Sequence, residues 1–389
     1  MRRTPIAHVI FPRPNLLRPV PEFAWEAVRA HAQTDDLDVA VYMPVPVRAI
    51  QKLHGKVRAR RGAAPWPDGL EEALLALEPR PKLVRYVPVP RRSTEVATAA
   101  IAAHLLKGPR ARQPAVVHGS FLDEGGYAAS QVARVLGGPS VVVAHGTDVR
   151  VARGLADGGI NRKRRALHAL RDAARVLAVS QDLARELSFL GQRAEVMQFT
   201  SRGSLFPVAR KPRGAPELLF VGRVGRPKGV DVLLAALAQV KTEGVTLRLV
   251  GPVLPGFDVE AQAAALGLAD RVIVEGELAQ ADLPERYAAA SLLVLPSRGE
   301  GLPCVAVESL LTGRPVVASE VGGLSELIDD RVGRLVAPED PAALAAAIDD
   351  VLAHKKDFRP RNLRARAEPL TWEHVGPRLC DLTRSLIST

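Results

Sequence analysis

Strand-sized apolar runs alternate with amphipathic stretches along this chain, and after one interruption the alternation starts again. That double series constrains the fold more than any other feature. The first runs lie at residues 8–11, 39–47, 83–89, 115–118, 141–145 and 176–179, with helical patterns such as 95–106 and 181–190 between them. Strands that follow one another through helices pair in parallel, which gives a doubly wound sheet covered on both faces. From Thr200 to Pro216 Arg, Lys, Gly and Pro dominate and no periodicity survives, so this segment reads as a linker. A second series follows at 218–221, 247–250, 272–275, 292–295, 316–318 and 334–336. A helix at 340–352, with Asp340 and Pro341 as cap and first turn, closes it, and an amphipathic segment at 371–387 is left over. The expected architecture is α/β: two Rossmann-like doubly wound parallel-sheet domains facing a central cleft, where a ligand would bind.

At 389 residues and 47% hydrophobic content the chain can bury more than one core. No apolar run approaches the roughly eighteen residues of a membrane helix, and Pro12 and Pro14 break the apolar stretch that follows Arg2 and Arg3. The expectation is a soluble, cytoplasmic protein without a signal peptide. Cys304 and Cys380 are too few for a disulfide framework and lack metal-ligand spacing, so they read as small buried apolar residues. Charge is uneven: residues 1–200 carry 30 Lys and Arg against 18 Asp and Glu, and residues 201–389 carry 23 against 24. The surplus gathers between Arg48 and Arg112, including Lys56-Val-Arg-Ala-Arg-Arg61, and at Arg162-Lys-Arg-Arg165. Such patches suit an anionic membrane surface, nucleic acid or an acidic substrate, and equally a merely solvated face.

The chemistry concentrates in Pro296-Ser-Arg-Gly-Glu-Gly-Leu-Pro-Cys-Val-Ala-Val-Glu-Ser-Leu310. Gly299 and Gly301 mark the turn after a buried strand, and Pro303 suits the first helical position, where its missing N–H costs nothing. A helix that starts at the carboxyl end of a parallel strand offers unpaired N–H groups and a positive dipole end to an anion. Glu300 borders that place, and Glu308 lies about a turn and a half deeper, flanked by apolar side chains. A partly buried carboxylate needs hydrogen-bond donors, which a ribose diol would supply, though structural networks also bury carboxylates. Upstream, Leu219-Phe-Val-Gly-Arg-Val-Gly-Arg-Pro-Lys-Gly-Val230 runs from a strand through a Gly-rich turn into a helix. Gly222 and Gly229 permit close backbone approach, and Arg223 and Lys228 are suited to a pyrophosphate. The turn is neither a Walker loop nor Gly-x-Gly-x-x-Gly.

Taken together, Gly222-Arg223, Lys228-Gly229, Glu300-Gly-Leu-Pro-x4-Glu308, Gly313-x-Pro315-Val-Val-Ala-Ser319 and Gly322-Gly323 resemble the donor-binding domain of the retaining, nucleotide-sugar-dependent glycosyltransferases of family 4 (glycosyl transferases group 1), which have the GT-B fold. The resemblance is close over about residues 217–355. It is looser in the first half, where Ala144-His-Gly-Thr-Asp148 resembles the family's His-Gly-x-Asp segment, and at Thr371-Trp-Glu373, which resembles the start of its closing helix. The resemblance implies an acceptor-binding domain at 1–200, a donor domain at 201–370 and a helix at 371–389 that crosses back to the first domain. It implies that Arg223 and Lys228 hold the donor diphosphate beside Gly222. Glu300 would bind hydroxyls of the transferred sugar, with backbone N–H groups of Gly301 and Leu302 before Pro303, and Glu308 would hold the ribose. His145 would reach the sugar from the opposite wall. No metal and no other cofactor is implied, because Arg223, Lys228 and the helix start can stabilise the leaving diphosphate.

The sequence departs from the family in two places. The Gly-Gly turn after the first strand is replaced by Phe11-Pro-Arg-Pro-Asn-Leu-Leu-Arg-Pro-Val20, where Arg13 or Asn15 could substitute, and the interdomain turn reads Gln198-Phe-Thr-Ser-Arg-Gly203. Gly119, Asp148 and Arg13 are the acceptor or cleft candidates. Asp36-Leu-Asp38 spells the Asp-x-Asp of metal-dependent enzymes but sits at a strand start. Paired carboxylates also suit glycosidases, which would leave the Arg and Lys unexplained. The expected function is retaining transfer from a nucleotide sugar to a hydroxyl acceptor in polysaccharide or glycolipid synthesis, at the membrane surface through the basic half. The alternatives are a GT-B nucleotide-sugar epimerase and a non-catalytic nucleotide-sugar or polyanion binder.

Overall fold

Val, Leu, Ile and Ala fill the strands of both series on both faces, as a parallel sheet covered by helices on each side requires. The computed structural model describes residues 3–12, 22–46, 74–86, 92–156, 159–210, 212 and 214–388. It divides into two compact units, Met1–Met197 with Val375–Thr389, and Gln198–His374. In the first, β1 (Thr4–Val9), β2 (Leu37–Pro46), β3 (Lys82–Tyr86), β4 (Val116–Ser120), β5 (Ser140–Ala144), β6 (Arg175–Ala178) and β7 (Glu195–Val196) make one parallel sheet in the order β3-β2-β1-β4-β5-β6-β7. In the second, β8 (Glu217–Val221), β9 (Thr246–Val250), β10 (Val272–Gly276), β11 (Leu292–Leu295), β12 (Val316–Ser319) and β13 (Gly333–Val336) pair as β10-β9-β8-β11-β12-β13. Each sheet reverses its order once, at β1/β4 and at β8/β11. In open parallel sheets that switch point opens a crevice at the carboxyl ends of the strands.

Several boundaries differ from the sequence reading. The strand expected at residues 8–11 is β1, which starts at Thr4 because Thr4 pairs with Leu37 despite being polar. The edge strand β7 is too short and too polar to give an apolar run. Pro303 caps the helix Cys304–Thr312 with an extended backbone, φ −76° and ψ 117°, instead of standing inside its first turn. Asp340 caps the helix Pro341–Ala353, its side chain accepting the Ala343 N–H. The segment read as a linker is packed: Phe206 is fully buried in the second unit's core, and Thr200 and Ser201 are buried with it. Its backbone is fastened to the stretch before the last helix, Thr200 N–H to the Leu370 carbonyl at 3.1 Å and Gly203 N–H to Glu373 Oε2 at 2.9 Å.

The last helix, Trp372–Ile387, is amphipathic, and from Val375 on it belongs to the first unit. There Arg384 holds Asp36 in a two-point ion pair at 2.7 and 3.0 Å, which keeps the Asp36 carboxyl down at about 2. Asp36 of the Asp-x-Asp triplet is thereby committed to structure. Beside it three buried histidines meet Thr383. His31 Nε2 lies 2.8 Å and His118 Nε2 3.2 Å from Thr383 Oγ, and His8 Nε2 lies 3.2 Å from His31 Nδ1. Among the described residues no helix is long and apolar enough to cross a membrane.

Candidate active site

At the carboxyl end of β8 the chain enters Gly222, then a 3-10 turn over Arg226–Lys228, then Gly229 at φ 69°. A Cβ on Gly229 would stand 1.9 Å from the Pro296 carbonyl oxygen, so only glycine lets this turn rest on the end of β11. That close approach brings Lys228 to Glu300, with Nζ 2.6 Å from Oε1. Ser297 Oγ donates to the same oxygen at 2.6 Å. A third loop supports the pair from behind: a Cβ on Gly322 would stand 2.0 Å from the Glu300 carbonyl oxygen, and Gly323 N–H donates to the Gly301 carbonyl at 2.7 Å. Arg223 is exposed just past Gly222, while Gly301, Leu302 and Pro303 are buried where the loop turns into the helix Cys304–Thr312.

Arg298 ties these loops together. Its guanidinium takes both oxygens of Asp231 at 2.9 and 3.1 Å, donates to the Arg226 carbonyl, and reaches Glu339 at 2.5 Å. Hydrogen bonding to Asp231 raises its pKa further above the usual guanidinium value.

Glu308 is set apart from Glu300. Its carboxylate is almost wholly buried; Ser201 Oγ donates to Oε1 and Tyr287 OH donates to Oε2 at 2.8 Å. Tyr287 comes from the helix Leu283–Ala289 and packs edge-on against Phe206, ring centroids 5.8 Å apart. Burial, and then the neighbouring Glu308, push the Tyr287 hydroxyl well above its ordinary pKa, and burial pushes the Cys304 thiol up to about 12. Both groups therefore keep their protons at neutral pH.

In the first unit His145 follows β5, its ring 4.6 Å from that of Phe121, which holds φ 64° after β4. Two candidates from the sequence have structural tasks. Asp148 is buried, and its carboxylate accepts backbone N–H groups from Leu122 (2.9 Å), His145 (3.1 Å), Gly146 (2.8 Å) and Val149 (3.1 Å), so it fastens two loops instead of facing a ligand. Gly119 is required by packing: a Cβ there would stand 2.1 Å from the Gly125 carbonyl oxygen. Arg13 and the cluster 56–61 lie outside the described residues. In the cluster 162–165 Arg162 pairs with buried Asp123, and Arg164 and Arg165 reach Glu95 at 3.6 and 3.5 Å, while Lys163 and Arg164 stay exposed. Among the described residues no group of three or more His, Cys, Asp or Glu is placed to hold a metal ion.

Two family models match the chain side by side: Glycosyltransferase Family 4 over residues 47–198 and Glycosyl transferases group 1 over residues 215–354. The chain belongs to the GT-B glycosyltransferases. The D-inositol 3-phosphate glycosyltransferase of Streptomyces coelicolor is 34% identical over 206 residues, 48% of this chain and 45% of that protein. The alpha-D-kanosaminyltransferase of Streptomyces kanamyceticus is 30% identical over 205 residues, 48% of this chain and 53% of that protein. The chain thus matches less than two thirds of the length of these curated relatives. Among solved structures, sucrose-phosphate synthase from Thermosynechococcus elongatus superposes with a TM-score of 0.78 at 22% identity, covering 99% of this chain and 100% of that one. HepE of Anabaena, solved with UDP-glucose, gives 0.75 at 20% identity, covering 99% and 100%. At these identities the likeness speaks for the fold.

Within the second unit the structure brings Lys228, Glu300 and the Gly301–Pro303 turn together at the β8/β11 switch point. Sequence reading missed Ser201, Tyr287 and Arg298. Arg298 stood inside the quoted motif, but Ser201 and Tyr287 reach Glu308 only through the fold. The arrangement offers an ammonium, an exposed guanidinium and the start of a helix to an anion, with one carboxylate at the mouth and another behind it.

Proposed function

We propose that this chain transfers a sugar from a nucleoside diphosphate sugar to a hydroxyl acceptor with retention of anomeric configuration and without a metal. The observation that carries the reading is the Lys228–Glu300 contact, held by glycine-dependent packing at the switch point of the second sheet. In this reading Arg223 and Lys228 meet the diphosphate, Glu300 accepts hydroxyls of the sugar, and Glu308 holds the ribose. The backbone N–H groups of Gly301 and Leu302 face sugar or phosphate. His145 enters as a sugar contact through the family resemblance.

The anomeric carbon to phosphate-oxygen bond breaks as the acceptor oxygen bonds that carbon from the same face. The acceptor's proton passes to the departing phosphate oxygen, so no side chain has to serve as base. Negative charge grows on the diphosphate, where Lys228 and Arg223 stabilise it most in the transition state. The metal-independent reading rests on those two cations.

The acceptor is proposed to be a glycan, a lipid-linked sugar or, by analogy with the named relatives, a phosphorylated cyclitol. Action in the cytoplasm, at its membrane face, is part of the same proposal. The test incubates the protein with uridine, guanosine and adenosine diphosphate sugars and these acceptors, with and without EDTA. The expected product keeps the donor's configuration by proton NMR and forms at the same rate with EDTA. An inverted product removes the retaining assignment, and loss of rate with EDTA removes metal independence.

A further inference from the structure

Surface apolar side chains scattered singly need no explanation, but those of the first unit are gathered. Of the ten large apolar side chains most exposed among the described residues, four fall between residues 155 and 189: Leu155, Ile160, Leu167 and Phe189. Ile160 is 84% exposed and Phe189 71%. Leu155 and Ile160 stand with Val151, Ala156 and Lys163 around an open hollow of about 480 Å³. Phe189 adjoins it, because the Arg153 guanidinium lies 4.7 Å from the centre of its ring and Leu155 follows Arg153 closely in the chain.

The helix Gly159–Asp172 supplies the pattern. Ile160, Lys163, Arg164 and Leu167 follow the spacing i, i+3, i+4, i+7, which sets them on one helix face, and all four are exposed. Ala166, Ala169 and Leu170 face the core instead. The other cations of the helix are engaged: Arg162 pairs with Asp123, Arg165 donates to the Asp123 carbonyl at 2.8 Å, and Arg171 pairs with Asp172 at 2.7 Å. Lys163 Nζ lies at the rim of the hollow, 3.3 Å from where a Cβ on Gly154 would stand. Arg164 comes only within 3.6 Å of Glu95, and its side chain stays 56% exposed. Among the described residues no exposed position of this helix carries a carboxylate.

Aliphatic side chains and cations alternate on this face. A protein partner would favour a different arrangement, an apolar centre with charge at the rim and few lysines. Anionic lipid headgroups fit it, since Leu155 and Ile160 can enter the acyl boundary while the long stems of Lys163 and Arg164 carry their charges back to the phosphates. We propose that Leu155, Ile160, Leu167 and Phe189, with Lys163 and Arg164, form a docking surface for an anionic lipid bilayer. This rests on the reading above that the chain acts at a membrane face, and goes beyond it by assigning the contact to one surface. The Arg162–Asp123 pair sets the start of the helix beside the turn Phe121–Gly126, which follows β4. The lipid surface therefore meets the first unit near the carboxyl ends of its strands, the edge that carries His145.

Cosedimentation of the full chain with vesicles tests this, using phosphatidylcholine alone and equal parts phosphatidylcholine and phosphatidylglycerol. The unaltered chain should bind the mixed vesicles on the order of ten-fold more tightly, the worth of two cations at an anionic surface. Ile160→Asp should weaken that binding by roughly ten-fold or more, because one large aliphatic side chain no longer enters the lipid. Phe189→Ser, past the end of another helix, should weaken it as well. Lys163→Gln combined with Arg164→Gln should remove most of the preference for phosphatidylglycerol. All these side chains are exposed, so melting temperatures should not move. Unchanged binding by Ile160→Asp and by the double variant would overturn the proposal, with membrane action left to another surface. Failure of the unaltered chain to bind either vesicle would remove the membrane-face reading itself, and this surface with it. A dimer seen by light scattering without vesicles, and broken by Ile160→Asp, would make the face a contact between copies and overturn the proposal too.

Discussion

The second unit gathers its polar groups at the carboxyl ends of its strands, whereas the first buries an uncharged cluster where β1, β4 and the last helix meet. At the β8/β11 edge Lys228, Glu300, Arg298 and Asp231 interact as ions on loops that glycines press together. In the first unit His8, His31 and His118 surround Thr383 with no charge among them. The Ala27 carbonyl can only accept, at 2.9 Å from His31 Nδ1, so that nitrogen carries the proton, and the single Thr383 hydroxyl proton goes to the Leu379 carbonyl at 2.8 Å. His118 Nε2 then donates to Thr383 Oγ. The difference teaches where each unit is vulnerable: the second through its ions at the site, the first through its proton count in the core.

Substitution at the site should therefore damage chemistry far more than stability. Glu300→Gln and Lys228→Ala are each expected to lower kcat by 10²–10³-fold, about 3–4 kcal/mol of transition-state stabilisation. Melting temperature should move by only a few degrees, because Lys228 and Glu300 keep partial access to water. Calorimetric melting beside initial-rate kinetics checks this. Turnover within a factor of three of the unaltered chain would refute the site assignment.

Acid should produce the opposite pattern, damaging the first unit. Burial lowers His31 to about 4, and it lowers His8 and His118 well below their ordinary value, with neighbouring histidines adding to the effect. Arg384, which faces His31 and is itself paired with Asp36 and Asp381, also disfavours a charge there. A histidine whose folded pKa lies below its unfolded value of 6.5 contributes its full stability above 6.5. That contribution is lost as pH falls towards the folded value. For His31 alone the loss between pH 6.5 and 4 is about 3 kcal/mol. Hydrogen-exchange protection factors across residues 375–387 should fall over that window, and His31→Gln should flatten the dependence. Protection that stays constant from pH 7 to 4.5 would show that the cluster does not bind protons on that scale.

These two regions were also unequally legible in the sequence. Strand β11 at Leu292–Leu295 was readable to the residue, since a buried run between turn residues leaves little choice. Lys228 and Glu300 were readable because motif and turn lie together in sequence. Nothing local announced the histidine cluster, whose members are separated by 23 and 352 residues from the partners of His31. Asp148 was only partly legible for the same reason: its position next to His145 was visible, but the Leu122 N–H that its carboxylate accepts arrives through the packing of β4 against β5. Asp148→Asn turns an amide group towards backbone donors and should cost about 2 kcal/mol by urea denaturation. A loss within about 0.5 kcal/mol would mean that the two loops hold without it.

The smallest expected effect asks what keeps the second unit's ions in register. Gly229 packing on Pro296 and the Arg298 ties both press the Arg226–Lys228 turn onto the β11 loop, and they can be separated. Arg298→Ala removes the bond to the Arg226 carbonyl and the bidentate grip on Asp231, leaving the glycine contact intact. Half-exposed ion pairs are worth about 1 kcal/mol at most, so KM for the donor should rise by roughly five-fold with kcat less affected. Arg298→Lys keeps the charge without the planar fork and should recover only part of the loss. If Arg298→Ala binds donor as the unaltered chain does, glycine packing alone positions Lys228. The Arg298–Asp231–Glu339 network then belongs to the surface, and the contrast between the two units narrows to Lys228 and Glu300.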